Sequence, residues 1–354
     1  MSNRLLLIAL LLPAVDIGAA PLFSSDEPLA IRIEAPMRDL VRFRLDHPEY
    51  SAIVQYTDSD GSTVRVPATI SSRGNSRLDY CEFPPIRLDF GGKATAGTLF
   101  EGQGELKLVT QCGRGRGPER WVYQEFGIYR AYNGLTDASF RVRMLDVTYQ
   151  DDSTTSWTRV APAFVIEPVE AMAGRLGRVV LRPPEVREEQ LDPDETAMSI
   201  LFQFLIGNTD FAVKRGPSGE GCCHNGRVLA VAGSQDDWIV VPYDFDQAGV
   251  INTDYALPDE QFGIRRVTRR VYRGFCMHND RLPAAIERLN AGRAAITDAL
   301  APASLARTWQ ARATRFVNGF YEIVNDPQEL ETELLDKCRG AASFAVRKTK
   351  SAGP

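Results

Sequence analysis

Histidine is scarce in this chain: its 354 residues hold three, His47, His224 and His278, far apart in sequence. They read as surface or capping residues. No G-x-S-x-G segment occurs either, so serine- and cysteine-nucleophile schemes have little to build on. Neither sign of charge dominates. Forty-one basic against forty-six acidic side chains leave a net charge of −5, which excludes wholesale wrapping of nucleic acid and leaves room only for a local basic patch. Internal repeats and low-complexity tracts are missing, so solenoids and tandem modules are set aside. Beyond the N-terminal segment no apolar run approaches the roughly 20 residues of a spanning helix, so no stable membrane span is expected.

What is present is the make-up of a folded globular protein, 44% hydrophobic and 25% charged. The length suits two domains or one large domain with two lobes, since single cores stop growing at about 250–300 residues. At the start, Met1-Ser-Asn-Arg4 carries a positive charge ahead of the apolar run Leu5 to Val15, and Gly18, Ala19 and Ala20 are small. This is the layout of a signal peptide over residues 1–19, and it implies a secreted or periplasmic protein. Six cysteines, Cys81, Cys112, Cys222, Cys223, Cys276 and Cys338, suit an oxidising compartment and up to three disulfides. Their pairing is open, with Cys81 and Cys112 favoured because each lies beside an expected strand in the same half. Zinc is disfavoured, since Cys222-Cys223-His224 has no C-x-x-C partner.

The chain changes character midway. From Ala30 to Glu167 apolar residues mostly alternate, as in Ala52 to Tyr56 and Thr63 to Ile70, joined by the turn signal Asp58-Ser-Asp-Gly61. Further strands are expected at 86–90, 105–109, 140–145 and 163–166, with one interposed helix at 119–132. The second half reads as mostly helical. Asp192-Pro-Asp-Glu195 is a helix start whose apolar run ends at Gly207, and helices are expected near 281–300, 303–324 and 327–338. Between them lie Val228 to Val231 and the buried-strand run Trp238 to Tyr243.

Three segments combine into a candidate site. Gly207-Asn-Thr-Asp210 is a polar turn after a buried helix, and His224-Asn225 precedes the strand at Val228. Pro242-Tyr-Asp-Phe-Asp246 ends the buried strand, where Asp244 and Asp246, two apart, are expected on one face. Carboxylates at the mouth of an apolar element are expensive to bury without a cation, which suggests a metal site. Lys107 alternates with apolar neighbours in its strand, and Glu125 follows on the interposed helix.

In this order the segments look like the catalytic half of a protein-kinase-like phosphotransferase. The chain resembles the spore-coat protein H kinases (the CotH family) over about residues 50–260. The resemblance rests on Ser72-Arg-Gly-Asn-Ser76, Pro84-Pro-Ile-Arg-Leu-Asp-Phe90, Leu106-Lys-Leu108 and Phe164-Val-Ile-Glu167, then on Leu205-Ile-Gly-Asn-Thr-Asp210, His224-Asn225 and Val241-Pro-Tyr-Asp-Phe-Asp246. Tyr255-Ala-Leu-Pro258 adds a similarity to a related bacterial group. The resemblance implies an α+β, two-lobed protein-kinase-like fold. A beta-rich N-lobe (30–167) with one interposed helix would precede a mostly helical C-lobe (168–345) and a frayed tail (346–354). It further implies Asp210 as the catalytic aspartate, Asn225 and Asp244 as metal ligands with Asp246 a second acid, and Lys107 paired with Glu125 on the phosphates. Glu167 would fall at a nucleotide-binding hinge, and Arg73 would be a second phosphate contact.

The pattern also departs from the family. No G-x-G-x-x-G loop exists, Thr209 stands where His or Arg would precede the aspartate, and a long excursion through Cys222 and Cys223 separates Asp210 from Asn225. The reading is an exported kinase using Mg2+ (or Mn2+) and ATP to phosphorylate a hydroxyl of a protein or small molecule. Two alternatives stand beside it: a non-catalytic, pseudokinase-like binding or coat-assembly protein, and a hydrolase with Asp210 and Asp246 as acid and base. The stretch Arg265 to Arg273, with five arginines, is either a solvated face or a surface for an acidic acceptor.

Overall fold

The computed structural model describes residues 21–74, 76–91, 95–217 and 221–340. The expected leader (1–19) and tail (346–354) lie outside the described residues.

Seven strands form a closed barrel in the order β1-β2-β3-β4-β5-β7-β6. They are β1 (Leu29–Ala35), β2 (Tyr50–Thr57), β3 (Thr63–Ser72), β4 (Ile86–Asp89), β5 (Glu105–Thr110), β6 (Val142–Asp151) and β7 (Thr158–Ile166). The expected hairpin is β2–β3, in register from Tyr50 opposite Ile70 to Thr57 opposite Thr63. Its turn closes through Asp58, whose carbonyl accepts from the Gly61 N–H at 2.9 Å. Gly61 adopts φ 85°, which costs a residue without Cβ little. Alternate residues turn inward: Ile33, Val54, Val66, Leu88, Leu106, Leu108, Val147 and Val165 are buried in one apolar cluster that fills the barrel.

The two-lobed kinase-like arrangement is not what forms. β1 pairs antiparallel with β2 and parallel with β6, from Leu29 opposite Leu145 to Ala35 opposite Asp151, and so closes the sheet on itself. Period-two alternation reports that one face is buried. It does not report whether the strands close into a barrel, and a parallel pairing between remote segments leaves no turn signal in the sequence. Nor is the second half a helical lobe alone: β8 (Val179–Leu181), β9 (Gly226–Ala230) and β10 (Ile239–Pro242) make a three-stranded sheet of order β10-β9-β8 within it.

Nine helices accompany these strands among the described residues. Short α1 (Met37–Arg42) and α2 (Ser76–Tyr80) sit on the barrel connections, and α3 (Arg116–Asn133) is the interposed helix. α4 (Val169–Arg175) and α5 (Pro193–Ile206) follow, then α6 (Leu282–Ala291), α7 (Arg293–Leu300), α8 (Arg307–Asn325) and α9 (Pro327–Glu333). The helix expected over 281–300 is divided at Gly292. α5 is capped as its sequence prescribes: Asp192 accepts from the Glu195 N–H at 2.9 Å, and Gly207 ends it at φ 66°. Eleven of its residues are buried, as a helix with apolar residues all round must be. α3 and α7 approach backbone to backbone at Gly127, where a Cβ would lie 2.0 Å from the Ala299 carbonyl oxygen.

Three disulfides hold the connections: Cys81–Cys112, as favoured from the sequence, Cys222–Cys223, and Cys276–Cys338. No described helix is long and apolar enough to cross a membrane.

Candidate functional site

A cleft of about 630 Å³ opens where the ends of β3 and β5, helix α3 and the segments flanking β9 and β10 meet. Arg73, Lys107, Glu125, Asp210, Asn225, Asp244 and Asp246 all line it. Residues as far apart in the chain as Arg73 and Asp246 thus share one wall-to-wall site.

Asp210 is placed by the end of α5. The left-handed Gly207 turns the chain, the Asn208 side chain accepts from the Asp210 N–H at 3.0 Å, and Arg273 donates to the flanking carbonyls of Thr209 (2.8 Å) and Phe211. The carboxylate is then gripped from both sides. His224 Nε2 lies 2.8 Å from Oδ1, and Asn225 Nδ2 donates to Oδ2 at 3.0 Å and to the Asp210 carbonyl at 2.8 Å. The Ala212 N–H donates to the His224 carbonyl at 3.0 Å, so the long excursion between Asp210 and Asn225 closes on itself. His224 is therefore neither a cap nor a plain surface residue.

Asp244 and Asp246 reach the cleft by a route other than strand alternation. β10 ends at Pro242, and Asp244 takes the left-handed conformation at φ 62°, as does Asn225 at φ 48°. Asp and Asn tolerate this region better than most residues, yet it still costs on the order of 1 kcal/mol or more, and such positions concentrate at functional sites. The Asp244 N–H donates to Tyr129 Oη at 2.9 Å. Asp246 is buried and accepts from Tyr255 Oη at 3.2 Å. Burial first, and then the nearby Asp244 carboxylate, push the Asp246 carboxyl well above the usual range. Glu125 on α3 is raised likewise, by burial and then by Asp246. Arg77 acts against both shifts, and Arg73 also acts on Glu125.

Cations share the cleft with these acids. Lys107 stands on β5 with its side chain away from Leu106 and Leu108, as its strand position predicts. Its Nζ lies 5.2 Å from the centre of the Tyr243 ring, which Arg227 covers at 4.2 Å. Burial, then Arg73 and Arg227, pull the Lys107 ammonium down to about 8. Arg73 follows β3, and its Nε is buried without a hydrogen-bond partner among the described residues. A guanidinium left with unused donors in a polar cleft is a place for an anion.

Two expected roles do not survive the geometry. The carboxylate of Glu125 faces Arg77 Nη1 at 4.0 Å and makes no ion pair with Lys107. Arg77 stands on α2, four residues after Arg73 in the sequence, and also donates to the Thr110 carbonyl at 2.9 Å. Glu167 is not brought to the cleft. Its carboxylate accepts from Arg175 at 2.9 Å and from the Arg141 N–H at 3.0 Å, while its own N–H donates to the Arg141 carbonyl. It clamps the end of β7. The sequence reading missed Arg77, Arg227, Tyr129 and the His224 contact; the repeat of arginine four residues after Arg73 was the available signal for the first.

Asn225, Asp244 and Asp246 supply hard oxygen donors, the type magnesium takes. Among the described residues no three His, Cys, Asp or Glu side chains form a cage for a metal by themselves.

Fold and cleft together define a disulfide-braced α+β protein, a closed mixed barrel joined to helices and a small sheet, with a cleft lined by both cations and acids. Compared with known family models, curated proteins and solved structures, the chain matches none.

Proposed function

We propose that this protein is an exported, magnesium-dependent phosphotransferase that moves the terminal phosphoryl group of ATP to a hydroxyl. The observation that carries the reading is the convergence of Lys107 and Arg73 with Asp210, Asn225, Asp244 and Asp246 on one cleft. The order of motifs that resembles the spore-coat protein H kinases points the same way. The signal-like N-terminus and three disulfides support export.

Phosphoryl transfer asks a protein mainly for positioning and charge neutralisation. Lys107 and Arg73 hold the phosphate oxygens, with Arg227 behind them. Asp244, Asn225 Oδ1 and Asp246 are the groups that would hold magnesium, which when bound neutralises charge on the phosphates. Asp210 is fixed by His224 and Asn225 with its carboxylate still partly exposed, suited to receive the acceptor's hydroxyl proton. The acceptor oxygen bonds to phosphorus as the bond from phosphorus to the nucleotide's bridging oxygen breaks. ADP leaves, and the proton passes from Asp210 to solvent. The two-carboxylate hydrolase is less well served, because Asp246 is buried and hydrogen-bonded to Tyr255.

The test is thermal unfolding with ATP. At about 100 Kd a ligand adds about 2.7 kcal/mol, so a clear rise in Tm is expected with ATP and Mg2+ together, absent with ATP alone and absent in Asp244→Ala. Equal stabilisation without the metal, or in the variant, overturns the site assignment. Stabilisation with no transfer to any hydroxyl leaves a nucleotide-binding protein.

A further inference from the structure

A second cavity, of about 730 Å³, lies on the other side of Asp210. Asp210 and His224 line both cavities, so the gripped carboxylate stands in the partition between them. A transfer reaction needs a donor and an acceptor to meet at the proton-accepting group from different directions. The second cavity meets that need.

Its charges are unequal in what they leave unused. Lys214 is held by Glu188 at 2.8 Å and Arg215 by Glu185 at 2.6 Å, so these four neutralise one another. Asp259 accepts from Gln261, whose N–H donates to Oδ1 at 3.0 Å and whose side chain donates to Oδ2, and its charge also acts on Arg273 and Arg339. Against that carboxylate stand two guanidiniums, Arg273 and Arg339. Arg273 is 7% exposed, and its Nε is buried with no hydrogen-bond partner among the described residues. Burial, and then neighbouring Arg339, pull its guanidinium down to about 10. The Arg339 guanidinium makes no hydrogen bond or ion pair among the described residues, while its backbone is pinned. The Arg339 N–H donates to Gly274 O and its carbonyl accepts from the Cys276 N–H, both at 2.8 Å, beside the Cys276–Cys338 disulfide. Two adjacent guanidiniums with donors to spare, on a fixed frame, form a receptor for an anion.

We propose that this cavity is the acceptor site and that it takes a small hydroxyl-bearing anion, a polyol carrying a carboxylate or a phosphate. The anion lies on Arg273 and Arg339, which directs a hydroxyl to Asp210. The inference rests on the phosphotransfer reading and adds the class of acceptor. A volume of 730 Å³ is that of a small-molecule site, about 300–1,000 Å³, and not a seat for a folded protein surface. Of the five arginines between Arg265 and Arg273, Arg273 alone lines this cavity; Arg270 is spent on the Phe204 and Leu205 carbonyls at 3.0 and 3.1 Å.

The experiment uses the full chain with galacturonate, glucose 6-phosphate and neutral glucose as probes. Binding is read by calorimetry without nucleotide, and transfer is read from ATP with Mg2+. One or both anions are expected to bind and accept phosphate where glucose does not, and which anion does so identifies the headgroup. Arg339→Gln is expected to raise the acceptor KM at least tenfold while the ATP KM stays put. Arg339→Lys should recover part of the loss, because a point charge restores attraction without the fork. Equal use of glucose, preference for an acidic serine peptide, or an acceptor KM indifferent to Arg339→Gln overturns the inference and leaves the phosphotransfer reading standing. Anion binding that depends on Arg339 with no ATP binding at all overturns the phosphotransfer reading instead.

Discussion

Arg77 Nη1 lies 4.0 Å from Glu125 Oε2, and both side chains are almost enclosed, 12% and 5% exposed. The pair joins α2 to α3 at the back of the cleft, behind Lys107 and Asp246. Above the raised value of Glu125, about 8, where its carboxyl is charged, removing Arg77 strands that charge, which typically costs about 3–5 kcal/mol. Arg77→Met is therefore expected to lower stability by roughly 3 kcal/mol, and Arg77→Met with Glu125→Gln to recover a good part of it. Urea denaturation of the three variants measures this; a double variant no better than the single one would show that the Thr110 contact, not the ion pair, matters.

Glu125 and Asp246 both have folded-state values raised above the ordinary carboxyl range of about 4. A raised acid binds its proton more tightly when folded, so its contribution is fully present below about pH 4 and is lost as the pH rises through the raised values. Nucleotide-free protein should thus lose stability between mildly acidic and slightly alkaline pH. Glu125→Gln should flatten that slope in a pH series of thermal unfolding.

Lys107 carries the opposite sign. With its ammonium lowered to about 8, the amine is free at a pH where an ordinary lysine, near 10.4, is still protonated. Acetylation followed by peptide mass spectrometry should show Lys107 reacting with a midpoint close to pH 8. ATP with Mg2+ should protect Lys107 and leave Lys337 exposed to reagent. Above its folded value Lys107 also regains stability up to its unfolded value, which sets the upper limit of the decline predicted for the acids.

His224 is expected to act by orienting Asp210. His224→Ala should lower kcat by about a hundredfold, the scale of a small misplacement at a reacting centre, and leave the ATP KM near its starting value. A rise in the ATP KM with kcat intact would place His224 on the nucleotide instead.

The disulfides differ in the chain they enclose: Cys276 and Cys338 are 62 residues apart, Cys81 and Cys112 are 31. Loop entropy makes each worth about 3–4 kcal/mol, the longer one more. Paired serine variants should show the larger fall in denaturation midpoint for Cys276 and Cys338. That variant should also weaken anion binding at Arg339.

Much of the local structure was legible. The β2–β3 hairpin, the Asp192 cap and the Gly207 stop are written in residues within a few positions of each other, and the structure repeats them almost to the residue. Several charged residues of the cleft were legible too, Arg73, Lys107, Glu125, Asp210, Asp244 and Asp246 among them, while Arg77 and Arg227 were not. Which partner each one finds was not: Glu125 takes Arg77, Glu167 takes Arg175, and Asp210 takes His224. Partners of that kind are set by how elements pack, and the chain between them carries no trace of the choice.

The sequence by itself determined most of the strands, though not β1 or β8, together with the Asp192 cap and the Gly207 stop of α5, since local propensity and hydrophobic period act over a handful of residues. Only the tertiary structure decided that β1 lies parallel to β6 and shuts the barrel. It also decided that Asp244 turns left-handed into the cleft and that Asp210 stands between two cavities. Those outcomes depend on contacts between remote segments, where burial of a whole face outweighs the preference of any single residue.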